Sequence, residues 1–249
     1  GLSADNVDYL SHQPDASRVD AETTLANLQW ALTGDNFVGS SDPSLWICLT
    51  DHGRLATGGL DGEFVLSQTE SLSGSELRTW LDDFEATHPV CDVTVVVECC
   101  YAGALAATLT NGYVGARRAV IASVGADQLA HFISDGVISF SQTFWSNVGL
   151  GLDIQTSFDD ARDAMTRFQL AGLVNAGIDL ERALGPDFIA GADRPQVGEV
   201  PPDQVLSGAG TAVLWARDVT GPVAIERVWG VVIPPGYSAS GDSPVTDLP

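Results

Sequence analysis

The sequence predicts an α/β fold: a mostly parallel sheet flanked by helices, followed by a small C-terminal β extension. Three observations carry this expectation. Val93-Thr94-Val95-Val96-Val97 and Leu45-Trp46-Ile47-Cys48-Leu49-Thr50 are nearly unbroken apolar runs, the signature of strands buried on both faces. Around them lie stretches with the 3.6-residue apolar spacing of amphipathic helices. Beyond Gly185 the composition shifts to Pro, Gly and Val. The chain therefore divides into a sheet-and-helix domain over 1–185 and a β segment over 186–249 that reads as the start of a β-sandwich.

In chain order, residues 6–11 form a short strand candidate, and 12–20, with Pro14, a loop. Residues 21–32 predict a helix with Leu25, Leu28 and Leu32 on one face. The stretch 34–43 breaks it, and the Leu45 run follows. Residues 55–62 are rich in Gly and are expected to be flexible. Phe64-Val65-Leu66 with Glu70-Ser71-Leu72 predicts a small hairpin. Ser73-Gly74-Ser75-Glu76 has the spacing of a capping box and opens a helix with Leu77, Trp80, Leu81 and Phe84 as its apolar stripe. His88-Pro89 ends that helix before the Val93 strand. Residues 104–109 are rich in helix formers. Residues 118–123 predict a strand and 124–130 a loop. Residues 137–148 read as a helix or a strand–helix junction with Phe140, Phe144 and Trp145 inward. Ser157-Phe158-Asp159-Asp160 reads as the cap of a helix reaching about Gly172. Residues 211–216 and 224–233 predict strands.

Composition narrows the function classes. The chain has 249 residues and is 45% hydrophobic, enough for one substantial core with a small appendage. Its formal net charge is −22, and all 11 basic residues are Arg. Such acidity opposes binding to nucleic acid or an anionic membrane and suits high salt or an extracellular setting. A secreted or cell-surface location is expected, without membrane insertion, because no apolar run approaches the roughly 20 residues of a spanning helix. No signal peptide is visible in the chain, so secretion would require one that was removed or lies outside it. Four cysteines are too few for a disulfide scaffold of this length. No Cys or His cluster has metal-ligand spacing, so neither metal nor cofactor is expected.

The chemistry lies at two strand ends. The Val93 strand ends in Glu98-Cys99-Cys100-Tyr101-Ala102-Gly103, directly before a helix. Its last residues are therefore presented at the carboxyl edge of the sheet, where open α/β folds bind ligands. A thiol beside a helix N-terminus is favoured as the thiolate, which makes Cys100 the candidate nucleophile. The Leu45 strand ends in Asp51-His52-Gly53-Arg54. His52 and Cys100 are 48 residues apart, near the roughly 50-residue His-to-Cys spacing of caspase-type proteases. In this reading Cys100 attacks a peptide carbonyl and His52 handles the proton. The N–H groups of Gly53 and Cys100 face the oxyanion, and a glycine allows close approach of backbone to substrate. Cys48 and Cys91 read as buried core thiols. Strand alternation points Cys99 away from Cys100, so Cys99 reads as core too. His12, His88 and His131 read as structural or solvated.

Leu49-Thr50-Asp51-His52-Gly53 and Glu98-Cys99-Cys100-Tyr101-Ala102-Gly103 resemble the paired motifs of the bacterial legumain-like cysteine peptidases, within the wider caspase, gingipain and metacaspase clan. The resemblance extends over roughly residues 1–170. It departs at Cys99, where the family commonly has Ala or another small residue. It implies a caspase-haemoglobinase-like sheet and a peptide or protein substrate. It also places Glu98 in the S1 pocket, with Ser141 as a pocket-wall serine and Asn or Arg favoured at P1. A competing reading makes Glu98 a carboxylate bound to nearby backbone. Asp51 is read either as a substrate-side residue that orients the loop or as a simple turn acid. The related domains begin with a central strand ahead of the segment resembling residues 1–11. The resemblance therefore implies a missing first strand, filled by residues 211–216 or 224–233 or by a separate chain or fragment, and otherwise a damaged domain with little activity. Arg117-Arg118 is a conceivable self-processing site or simply a strand start. The alternative function is a catalytically degenerate domain serving as a binding or adhesion module.

Overall fold

The computed structural model describes residues 7–12, 19–33, 44–59, 61–133, 136, 138–182, 198–201, 211, 213, 215–219, 230–232 and 246–248. Among them the chain is mixed α/β, with parallel and antiparallel strands and five helices. The elements run β1 (Leu10–Ser11), β2 (Ala21–Glu22), α1 (Leu25–Thr33), β3 (Ser44–Thr50), β4 (Gly53–Leu55), β5 (Gly62–Val65), β6 (Ser71–Ser73), α2 (Gly74–Thr87), β7 (Asp92–Glu98), α3 (Ala102–Thr110), β8 (Arg118–Ala122), α4 (Phe140–Gly149), α5 (Ile154–Met165), β9 (Gly172–Ala176), β10 (Gly230–Val232) and β11 (Thr246–Leu248).

The main sheet has the order β3-β7-β8-β9. β3, β7 and β8 are parallel, and β9 runs antiparallel to β8. The β-branched run of β7 is apolar but for the buried Thr94 because both of its faces are covered. Val93, Val95 and Val97 join Leu77, Leu81 and Phe84 of α2 and Leu105 and Leu109 of α3. Val96, with Ala119 and Ile121 of β8, meets Phe140, Phe144 and Val148 of α4 and Phe158 and Met165 of α5.

β3 departs from this pattern. Ile47 and Leu49 are buried, whereas Cys48 and Thr50 are exposed, so the expected burial of Cys48 is corrected. The α4–α5 layer packs on β7 and β8, and on Trp46 of β3, whose ring lies 5.9 Å from that of Trp145. Among the described residues β3 pairs with β7 alone. β1 does not join it; it pairs in parallel with β2.

Local signals explain most boundaries. Ser73 and Glu76 form the expected reciprocal capping box at the start of α2, and the chain leaves that helix at His88. β5 and β6 make the predicted hairpin, with Phe64 opposite Leu72; β4 adds a third strand. The Gly-rich stretch closes as an anchored turn. Asp61 accepts from Ser75 N–H and Oγ at 3.1 and 2.9 Å and from Thr108 Oγ1 at 2.8 Å.

Three expectations shift. α1 begins at Leu25, because Ala21 and Glu22 pair with β1. α5 is capped by Asp153, whose Oδ1 accepts the Thr156 N–H at 2.7 Å, so Ser157 to Asp160 lie inside the helix. α5 stops at Met165, and residues near Gly172 form β9 instead, since pairing with β8 outweighs helical spacing. Of the two predicted C-terminal strands, the described residues of 211–216 lie outside any strand. In 224–233 the described residues are β10, paired with β11. Residues 198–201 and 215–219 meet through an isolated antiparallel bridge between Glu199 and Arg217; the remainder of the β extension, with residues 34–43, lies outside the described residues. Among the described residues no helix is long and apolar enough to cross a membrane.

Arg118 resolves the Arg117-Arg118 question in favour of the strand. Its side chain is fully buried and donates to Glu85 Oε1 at 2.8 Å, Asp82 Oδ1 at 2.7 Å and Leu109 O at 3.0 Å. The guanidinium also lies 4.2 Å from the centre of the Tyr113 ring. Removing one partner of a buried ion pair costs about 3–5 kcal/mol. Because Asp82 is half exposed, Arg118→Ala should destabilise by about 3 kcal/mol, read from the urea unfolding midpoint at constant slope.

Candidate active site

The register of the sheet brings the two motifs together. Thr50 stands opposite Glu98, the last residues of the adjacent parallel strands β3 and β7. The chain therefore leaves the sheet at the same level twice, as Asp51-His52-Gly53 and as Cys99-Cys100-Tyr101. The Asp51 N–H donates to Glu98 O at 3.3 Å across the gap. Gly53 then crosses directly over the Cys99-Cys100-Tyr101 turn. A Cβ on Gly53 would lie 2.2 Å from Cys100 O and 2.6 Å from Cys99 Sγ, so only glycine fits this crossing.

The backbone of His52 is held on both sides. Its N–H donates to Asp51 Oδ1 at 2.7 Å, and its carbonyl accepts from Val65 N at 2.9 Å. The second bond makes Gly53 and Phe64 a facing pair that exchanges no ladder hydrogen bond, which turns the Gly53 N–H away from β5. The His52 side chain is exposed. Asp51 is a loop organiser: its second oxygen meets His12 Nε2 at 2.7 Å. His12 thus has a structural contact at the edge of the loop, with its side chain half exposed.

The cysteines separate by environment. Cys100 is half-buried, and Cys91 and Cys99 are buried. Burial pushes the Cys99 thiol up to about 12 and the Cys91 thiol up to about 11, so both are protonated and inert at neutral pH. Among the described residues the Cys100 N–H meets no protein acceptor. The Gly53 N–H, on the strand that crosses this turn, likewise faces away from β5.

Glu98 and Ser141 also meet, but not as an open pocket. Glu98 is fully buried. Its oxygens accept the backbone N–H groups of Phe140 and Ser141 at 2.9 and 3.0 Å, so the carboxylate caps the N-terminus of α4, where a negative charge is favoured. Burial pushes its carboxyl above the usual range, opposed by the Ser141 hydroxyl and the two N–H groups. The geometry therefore favours the backbone-bound reading of Glu98 over a pocket base. Ser141 sits half-buried on the first turn of α4, tied to the sheet edge through Glu98.

The other histidines are engaged elsewhere. His88 stacks 4.3 Å from the Phe84 ring at the end of α2. The backbone N–H of His131 donates to Gln169 Oε1 at 2.8 Å, and burial lowers the imidazole pKa. Among the described residues no group of three or more His, Cys, Asp or Glu could hold a metal ion.

Sequence reasoning did not anticipate the backbone at Tyr101. This residue, next to Cys100 and at the N-cap of α3, sits at φ 61°, ψ 23°. That is the left-handed region, unfavourable for a bulky side chain; strain of this kind concentrates at functional turns. No local signal marks it, since Tyr is not a residue that seeks this region.

No protein-family model matches this chain, and no curated protein matches it in sequence.

Proposed function

We propose that this chain is a cysteine endopeptidase of the legumain-like type, with a caspase-haemoglobinase-like arrangement of its main sheet. The observation that carries the reading is the contact of Gly53 with Cys100 at two parallel strand ends in register. It seats the residue after the histidine on the backbone of the nucleophile.

In this mechanism Cys100 Sγ attacks the scissile carbonyl and its proton passes to His52. The oxyanion is held by the Gly53 and Cys100 N–H groups. Its collapse breaks the C–N bond, and His52 returns the proton to the leaving amine. The resulting thioester is hydrolysed by a water that His52 deprotonates, restoring the thiol. With Glu98 engaged by α4, Asp51 is the substrate-side carboxylate of this reading, about a third exposed and held by the His52 N–H and His12. We take Asn or Arg, rather than Asp, as the preferred P1 residue. A secreted or cell-surface setting, where a strongly acidic surface keeps the protein dispersed, is part of the same proposal.

The test is labelling with a peptidyl-epoxide probe, followed by peptide mapping and turnover of a P1-diverse fluorogenic library. Modification of Cys100, blocked by competing peptide, together with turnover of P1-Asn or P1-Arg substrates, is expected. Labelling that ignores the competitor, with no peptide turned over, would overturn the enzymatic reading and favour a binding module. Preferential turnover of P1-Asp would overturn the specificity.

A further inference from the structure

We propose that Gln128 is a positioning residue for the nucleophile turn, an inference that rests on the reading of Cys100 as nucleophile. Tyr101 is held at φ 61° without any side-chain cap. A non-glycine residue in this region costs roughly 1–3 kcal/mol and persists only where its surroundings impose it.

Here the imposing element is the loop after β8. The Tyr101 N–H donates to Gln128 O at 2.8 Å. One residue pair further, a Cβ on Gly103 would lie 2.5 Å from Ala126 N, so loop and helix backbones touch. The loop is in turn held by the Gln128 side chain. Its Oε1 accepts the Gly125 N–H at 3.0 Å and the Leu170 N–H at 3.1 Å, while Gln128 N–H donates to Gly125 O at 3.3 Å. A single amide oxygen therefore closes the loop on itself and fastens it to the segment entering β9. Through Gln128 O, that brace fixes the turn on which Cys100 is carried.

The two N–H groups that Oε1 accepts belong to a half-buried and an exposed residue. Water can replace the lost acceptor, so its removal should loosen the turn without unfolding the domain. Gln128→Met keeps the length of the side chain and removes the acceptor. Gln128→Glu keeps an acceptor oxygen.

The experiment measures steady-state peptide hydrolysis and the rate of Cys100 alkylation by iodoacetamide, resolved by mass spectrometry, on the full chain. Displacement of reacting groups by a fraction of an ångström costs about tenfold, so kcat of Gln128→Met should fall about tenfold. Its KM should stay within about twofold of wild type, the split that marks a loss confined to the transition state. Cys100 alkylation should slow by about threefold or more, because a thiol carried on a displaced turn is presented less directly to the reagent. Gln128→Glu should restore both rates, which a merely space-filling role would not do. Wild-type rates in Gln128→Met would overturn the proposal, and so would a Gln128→Glu variant as slow as Gln128→Met. Absence of hydrolysis by the wild-type chain would count against the peptidase reading alone, leaving the alkylation rates to decide on Gln128.

Discussion

Cys100→Ala should lower peptide hydrolysis by roughly five to six orders of magnitude, the scale seen when a nucleophile is deleted from a site that works as a unit. His52→Ala should cost nearly as much, because in the proposed mechanism thiol and imidazole act in the same proton transfer. Neither change should disturb the fold: Cys100 is only half-buried and His52 is exposed. Unfolding midpoints near the wild-type value are therefore expected alongside the lost activity. Cys99→Ala is the informative neighbour. Its thiol is buried and pushed up to about 12, so the variant should keep activity within a few-fold and lose only about 1 kcal/mol of packing. Active-site titration with the thiol probe reads all three. Full activity in Cys100→Ala, or loss in Cys99→Ala equal to that in Cys100→Ala, would remove the assignment of the nucleophile.

Gly53→Ala should be the second largest effect, and it acts on both stability and chemistry. The added Cβ would meet Cys100 O at 2.2 Å. That atom is backbone, so no side-chain rotation relieves the contact, and the β3–β4 turn must move. Overpacking of this kind costs typically 1–3 kcal/mol. In the proposed mechanism the same movement withdraws the Gly53 N–H from the oxyanion, which costs on the order of 100-fold or more in kcat. Gly172→Ala is the matched control, because nothing lies within 4 Å of a Cβ there. Comparing kcat/KM and the urea midpoint of the two variants separates a general glycine effect from the local one. Gly53→Ala with wild-type kcat/KM would refute the oxyanion role.

The elements best read from sequence are those specified by local chemistry. The Ser73–Glu76 capping box needs only residues three apart, and it forms as expected. The Leu77, Leu81 and Phe84 stripe needs only helical periodicity, and all three residues are buried. The β-branched run of β7 could be read as doubly buried because no solvent-facing polar alternation interrupts it. Elements that depend on a partner were missed or misplaced. β9 has exposed residues at three of its five positions and exists because β8 offers it a ladder. β2 is two residues long and is defined by β1 alone. The cap of α5 was misread because Asp153 and Ser157 are both plausible capping residues. Only the fold shows that Ser157 is buried inside the helix.

The same division runs through the candidate site. The sequence by itself determined which residue types could do chemistry and where each would stand: a thiol and an imidazole, each at the end of an apolar strand, with a glycine after the imidazole. Covalent order and strand alternation suffice for that. Tertiary structure decided everything that required two distant segments to meet. The β3–β7 register sets Thr50 against Glu98 and lays Gly53 across Cys100. The approach of α4 turned the Glu98 carboxylate into a helix cap, because a buried charge takes whatever donors the fold supplies. The left-handed Tyr101 and the Gln128 brace are of the same kind. A residue of ordinary preference is held in an unfavourable conformation by a loop 27 positions further along the chain, an energy balance that no local stretch of sequence records.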